Sequence, residues 1–156
     1  MVASMLVCEM AAYYKTKNMS LVDAMNALYK KYGYYMAKVQ SIELSGADAM
    51  EKAAAIMTNI RAHCPEQIGG YTVSAVLDYQ SSKCKDLLSG KESEITLPKS
   101  NVVELRLGQD GSVICRPSGT EPKVKFYFTA IGACINCAGK IMNALMEGMK
   151  TFLPEA

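Results

Sequence analysis

With 156 residues, half of them hydrophobic and 21% charged, the chain can bury the core of one domain and is too apolar to be disordered. Seventeen Lys and Arg against fifteen Asp and Glu leave a formal charge of only +2, and the cations are scattered rather than gathered on one face, which argues against a nucleic-acid binder.

Residues 1–17 read as a helix, with Val2, Met5, Leu6, Cys8, Met10 and Tyr13 at helical spacing. The apolar run is too short to span a membrane, and no basic leader marks a signal peptide. No capping residue precedes it, so a chain cut inside or next to a helix is expected. Ser20-x-x-Asp23 fits a capping box for a second helix, with Leu21, Ala24, Met25, Leu28 and Tyr32 along one side and Gly33 at its end. Two helices this close in sequence cannot seal a core by themselves.

Residues 35–44 carry Met36, Val39, Ile42 and Leu44 and predict the first strand of the intact domain. Asp48-x-x-Glu51 opens a helix to about residue 63, with Met50, Ala53, Ala54, Met57 and Ile60 inward. Tyr71 to Leu77 alternate as a strand, and the polar stretch 80–100 holds at most a short strand near Cys84–Leu88. Val102 to Leu107 predict a strand, Gln109-Asp110-Gly111 a hairpin turn, and Ser112–Cys115 its returning strand. The closing helix covers 134–152, with Ile135, Ala138, Met142, Leu145, Met149 and Phe152 inward. The order is β-α-β4-α, an α+β antiparallel sheet with helices on one face.

Of six cysteines, Cys8, Cys64 and Cys115 lie in apolar stretches, and with no secretory signal a reducing cytoplasm is expected. Cys134-x-x-Cys137 is the one close pair. Without a second pair, and with the single histidine far away at His63, it makes a poor zinc site, and packing within the helix is expected instead.

The chemistry concentrates in Arg116-Pro117-Ser118-Gly119-Thr120-Glu121-Pro122-Lys123, between two strand-like runs. Arg grips anion oxygens through paired N–H groups. Ser118 and Thr120 add hydroxyl donors, and Gly119 allows close backbone approach and a positive φ, so N–H groups can converge on an anion. After the loop, Val124, Phe126 and Phe128 alternate with Lys123, Lys125 and Tyr127, which puts both lysines on one face. A solvated lysine face is the competing reading of that alternation. A helix cap is disfavoured by Pro122 and the strand pattern behind it, and the spacing of a nucleotide P-loop is missing.

Residues 110–127 resemble the phosphate-binding loop of the α-D-phosphohexomutases, which include phosphoglucomutase and phosphomannomutase, and most of all the phosphoglucomutase and phosphopentomutase branch. Residues 2–14 resemble the last helical part of the third domain of the same enzymes. The resemblance implies four domains around one cleft: a phosphoserine donor on the first, Mg²⁺ held by an Asp-rich loop on the second, sugar recognition by the third and a phosphate clamp on the fourth. Neither an Asp-Gly-Asp-Gly-Asp stretch nor a Ser-His donor occurs in this sequence. The chain therefore resembles the fourth domain (35–156) after a helical tail of the third (1–34), without catalytic residues, metal ligands or a cofactor of its own and inactive alone. The fourth domain is called TATA-binding-protein-like for its shape, which implies no DNA binding.

What the resemblance implies for the site is a phosphate held by Arg116, Ser118, Gly119 and Thr120, joined by Lys125 and Lys123, with Glu121 turned aside toward a lysine or a backbone N–H. The implied partners are a phosphosugar (glucose or mannose 1- or 6-phosphate) and the other three domains, with no nucleic acid or membrane. A rival reading is a stand-alone anion- or RNA-binding module without activity. It requires stacking aromatics on the open sheet face, where Tyr127, Tyr71 and Tyr79 are the candidates.

Overall fold

The computed structural model describes residues 1–153, which form two compact units, Met1–Tyr34 and Tyr35 onward. The first holds two helices, α1 (Val2–Lys15) and α2 (Leu21–Tyr32). The capping box at Ser20 is present: its hydroxyl accepts the Asp23 N–H at 3.1 Å and the Asp23 carboxylate accepts the Ser20 N–H at 2.9 Å. Gly33 ends α2 with φ of 95°, a conformation that favours glycine. No residue of α1 is buried, and Val2, Met5 and Leu6 are well exposed. No helix among the described residues is long and apolar enough to cross a membrane.

The second unit is built on β1 (Tyr34–Glu43), α3 (Ala49–Ala62), β2 (Gln67–Ile68), β3 (Tyr71–Thr72), β4 (Ala75–Asp78), β5 (Lys83–Asp86), β6 (Glu92–Glu94), β7 (Val103–Arg106), β8 (Gly111–Pro117), β9 (Lys123–Gly132) and α4 (Ile135–Gly148), which a 3-10 turn, Met149–Phe152, extends. Seven strands make one sheet in the order β1-β9-β8-β7-β4-β5-β6, and β2 and β3 form a separate ribbon. The pairs β4–β5, β4–β7, β5–β6, β7–β8 and β8–β9 are all antiparallel. Helices α3 and α4 share one face of the sheet. Ile56, Met57 and Ile60 of α3 and Met142, Leu145 and Met149 at α4 close a single core over Leu105, Val113, Phe126 and Phe128.

The α+β class with an antiparallel sheet and helices on one face is as expected, but the strand count is higher. The run 71–77 is broken at Val73-Ser74, where the Ser74 N–H and hydroxyl both donate to the Arg106 carbonyl. β5 overlaps the short strand expected near Cys84–Leu88, whereas β6 arises from the stretch that looked irregular, because a polar strand at the sheet edge, carrying Glu92 and Glu94, shows no hydrophobic alternation.

Helix registers also shift from expectation. In α3 the buried stripe is Ala49, Ala53, Ile56, Met57 and Ile60, leaving Met50 and Ala54 exposed. Asp48 makes no cap bond, because its carboxylate bridges Lys52 at 3.0 Å. In β1, Val39 is exposed, since its parity differs from that of Met36 and Ile42. In α4, Ile141 takes the inward place expected of Ile135, which is exposed.

The expected packing of Cys134 and Cys137 inside the last helix is not what forms. Cys134 is the N-cap, ahead of the apolar stripe, its Sγ accepts the Cys137 N–H at 3.0 Å, and the two sulfurs are joined in a disulfide. Cys8 is exposed rather than buried, Cys64 is half-buried, and Cys115 lies in the core.

Gly111 begins β8 at φ of 140°, and a Cβ there would collide with the Thr129 carbonyl on β9. Gly111→Ala is therefore expected to destabilise the chain by about 1–3 kcal/mol, read as the shift in a urea unfolding midpoint, because neither backbone can retreat from a paired ladder.

Candidate functional site

The β8–β9 ladder decides which side chains meet. Cys115 lies directly opposite Phe126, and both are buried under the helices. The next pair along, Arg116 opposite Lys125, must project from the other face, because side chains alternate along a strand. Beyond Pro117 the chain leaves the ladder for residues 118–122 and returns at Lys123. The loop is closed by the Ser118 N–H on the Lys123 carbonyl at 2.8 Å and the Lys123 N–H on the Glu121 carbonyl at 2.7 Å. Its far side is tied to the domain where the Pro122 carbonyl accepts the Leu44 N–H at 2.8 Å. Among the described residues the backbone N–H groups of Gly119 and Thr120 find no acceptor. The expected positive φ at Gly119 does not occur, and a Cβ there would meet nothing within 4 Å, so what this glycine leaves open is space above the loop.

The charges are unevenly satisfied. Lys123 is bound to the Glu121 carboxylate at 2.6 Å, with the lysine 18% and the glutamate 59% exposed. The hydrogen bond from Lys123, then its charge, holds the Glu121 carboxyl below the usual range, with smaller help from Lys125 and the Ser118 hydroxyl. Arg116 and Lys125, by contrast, have no carboxylate within ion-pair distance among the described residues. Two like charges directly opposite on adjacent strands disfavour the fold by roughly 0.2–1 kcal/mol.

A cavity of about 500 Å³ opens beside the loop, lined by Arg116, Pro117, Ser118 and Gly119 on one side and Ser100, Asn101 and Val102 on the other. Of the six predicted residues, Arg116, Ser118 and Gly119 line it, and Thr120, Lys123 and Lys125 do not. Ser100 and Asn101 were not singled out by sequence reasoning. The one available signal was that they lead directly into β7, the strand paired with β8. A larger cavity, about 710 Å³, lies on the helix side between α3 and β4–β6, where Arg61, Lys83 and Lys85 face Glu66, Asp78 and Glu92. Mixed signs there leave no net attraction for an anion.

The three tyrosines that an RNA-stacking surface would need are dispersed. Tyr127 stands beside Ile114 on the open face, Tyr79 donates its hydroxyl to Glu104 at 2.7 Å, and Tyr71 packs against the core.

Residues 15–130 match the family described as phosphoglucomutase/phosphomannomutase, C-terminal domain. The chain belongs to that family. The match begins at the end of α1 and takes in α2, so its boundary differs from that of the compact units. The chain is 37% identical over 122 residues to a phosphoglucomutase of Staphylococcus aureus (strain bovine RF122 / ET3-1), covering 78% of this chain and 22% of the relative. It is 33% identical over 124 residues to a phosphoglucomutase of Staphylococcus haemolyticus, with 80% and 22% covered. It thus spans about a fifth of the length of these curated relatives. Its fold is similar to that of the exocytosis-sensitive phosphoprotein pp63/parafusin, a phosphoglucomutase from Paramecium, in its open form, at a TM-score of 0.52 and 14% identity over 90% of this chain and 25% of that one.

The face assignment can be checked chemically. Burial pushes the Cys115 thiol up to about 12, whereas Cys8 is exposed. At about pH 8, iodoacetamide is expected to label Cys8 readily and Cys115 only after unfolding, because the thiolate is the nucleophile. Labelling of Cys115 in the native chain would reverse the inside and outside of β8, and with them the place of Arg116.

Proposed function

We propose that this chain is the phosphate-clamping C-terminal domain of a phosphosugar mutase, with residues 1–34 as the helical tail of the preceding domain. In the parent enzyme it holds the non-reacting phosphate of a hexose phosphate, glucose or mannose 1- or 6-phosphate, while a phosphoryl group moves between two hydroxyls of the sugar through a bisphosphate intermediate. One observation carries this reading: Arg116 and Lys125 sit side by side on an open sheet face with no carboxylate within ion-pair distance among the described residues. Like charges in that position favour binding of an anion from outside. Ser118, Gly119 and Thr120 offer neutral donors next to them, and Lys123 joins once released from Glu121. The family membership and the phosphoglucomutase names of the relatives support the same reading.

The clamp contributes by positioning. Interactions with the remote phosphate hold the sugar in line at the reacting centre, so binding energy is used to lower the barrier of a step that occurs elsewhere. No three acidic, histidine or cysteine side chains converge among the described residues, which supports placing the Mg²⁺ site outside this chain. In this proposal the ion, which the parent would use in phosphoryl transfer, belongs to a preceding domain, as does the phosphoserine. The chain alone is inactive and binds phosphate weakly, since one exposed clamp bears the whole ordering cost of the ligand. We assign the parent to the cytoplasm, a reading supported by four free thiols among the six cysteines.

Titration of the chain with inorganic phosphate in the millimolar range is expected to shift the backbone amides of Gly119 and Thr120, and Arg116→Ala to abolish the shift. No response would remove the clamp. The same substitution in a full-length parent should raise KM and lower kcat together, and an unchanged kcat/KM would exclude Arg116. Glu121→Gln, which frees Lys123, should tighten phosphate binding by about two- to fivefold, the range of an exposed ion pair. A weakening would instead make Glu121 part of the loop's scaffold.

A further inference from the structure

We infer that Asn101 is a further anion-contacting residue and that Arg61 is the positioning residue that turns its amide toward the cavity. This inference rests on the phosphate-clamp reading above. Asn101 stands on the wall facing Arg116, Ser118 and Gly119. Its Oδ1 accepts a hydrogen bond from Nη2 of Arg61 at 2.6 Å. A guanidinium can only donate, so it selects the oxygen end of the carboxamide, and the Nδ2 end, with its two N–H donors, must face away from Arg61. Among the described residues no protein acceptor takes that Nδ2. In this inference the free N–H donors of the amide serve an anion in the cavity that Asn101 lines, and the oxygen that would repel one is already occupied.

Arg61 can impose this orientation because it is itself held. Its Nε donates to Oδ1 of Asp78 at 3.1 Å, with both side chains 22% exposed. Asp78 is fixed in turn by the Ser81 hydroxyl at 2.7 Å and the Gln80 N–H at 3.2 Å. Burial opposes ionisation of Asp78, but these hydrogen bonds and the guanidinium charge outweigh it and hold its carboxyl below the usual range. The backbone around Asn101 is also tied down, with Ser100 N–H donating to the Tyr79 carbonyl at 3.2 Å and Tyr79 N–H to the Val102 carbonyl at 3.1 Å. The far wall of the cavity is thus carried by α3 and β4, elements that contribute no side chain of their own to the loop.

The test is a double-mutant cycle read by phosphate titration of the ¹⁵N-labelled chain. In the wild type the Asn101 side-chain amide pair should shift with the same midpoint as the Gly119 amide. Asn101→Ala and Arg61→Met should each weaken phosphate binding by about fivefold, the scale of one hydrogen bond. Because Arg61 acts through Asn101, the double variant should bind no more weakly than Asn101→Ala alone. A purely structural role for Arg61 would instead move the urea midpoint and leave the side-chain amide response intact. Should Arg61→Met fail to fold, Arg61→Lys replaces it in the cycle, keeping a cation beside Asp78 without the second N–H arm. A moving Gly119 with a still Asn101 amide, or multiplicative losses in the double variant, overturns this inference alone. A still Gly119 overturns the clamp reading and this inference with it.

Discussion

The β8–β9 ladder sets everything that matters about the site. Its buried side supplies Val113, Cys115, Val124, Phe126, Phe128 and Ala130 to the core, and its open side carries Arg116, Lys125 and Tyr127. A slip of one residue would exchange the two sets and drive Arg116 beneath the helices. The magnitudes show why this cannot happen. Each buried aromatic or aliphatic side chain contributes roughly 1.5–3 kcal/mol, whereas the like-charged cross-strand pair opposes the ladder by at most about 1 kcal/mol. The core therefore fixes the register with a wide margin, and two cations that repel each other are held side by side. An isolated hairpin with the same residues would lack that margin, and this is why the helices, far from the open face, are part of the site's construction.

Much of this was legible from local pattern. Alternation through Lys123–Phe128 assigned both faces of β9, the Ser20 box and Gly33 bounded α2, and the composition of 116–123 marked the loop. What failed to show was of three kinds. A polar edge strand such as Glu92–Glu94 is specified by its backbone partner, not by a buried face, so no hydrophobic signal announces it. The stripe of α3 was misread by one position at Met50 and Ala54, because alanine and methionine fill so much of that helix that several registers look equally apolar. Its true stripe is chosen by contact with β7, β8 and β9, which is tertiary information.

The wall at Ser100–Val102 was invisible for a third reason. Nothing in Pro98-Lys99-Ser100-Asn101 distinguishes a site from a polar connection, and the residue that gives Asn101 an orientation is forty positions away on α3. Long-range ties of this sort join one side-chain acceptor to one side-chain donor and leave no periodicity behind. The Arg61–Asp78–Asn101 chain also explains how a small exposed cavity keeps a shape: its loop wall is pinned by Leu44 through Pro122, and its opposite wall by a guanidinium that is itself immobilised.

The Glu121–Lys123 pair then reads as a control on strength. In the proposed reaction either phosphate of the bisphosphate must occupy the clamp in turn, so the intermediate has to let go, reverse and bind again. An interaction equally strong in ground and transition states lowers KM without raising kcat, and one strong enough to retain the intermediate would slow its reversal. Three uncompensated cations around one phosphate would favour that outcome. In the proposed clamp, with Lys123 tied to a carboxylate, Arg116 and Lys125 would act at full charge, and the hydroxyls, the backbone N–H groups and the amide of Asn101 would supply directional but neutral bonds. Neutral donors are worth about half of charge-assisted ones, and they demand correct geometry. A clamp built mainly from them selects the phosphate's position without holding it hard, which is the property that a revolving intermediate requires.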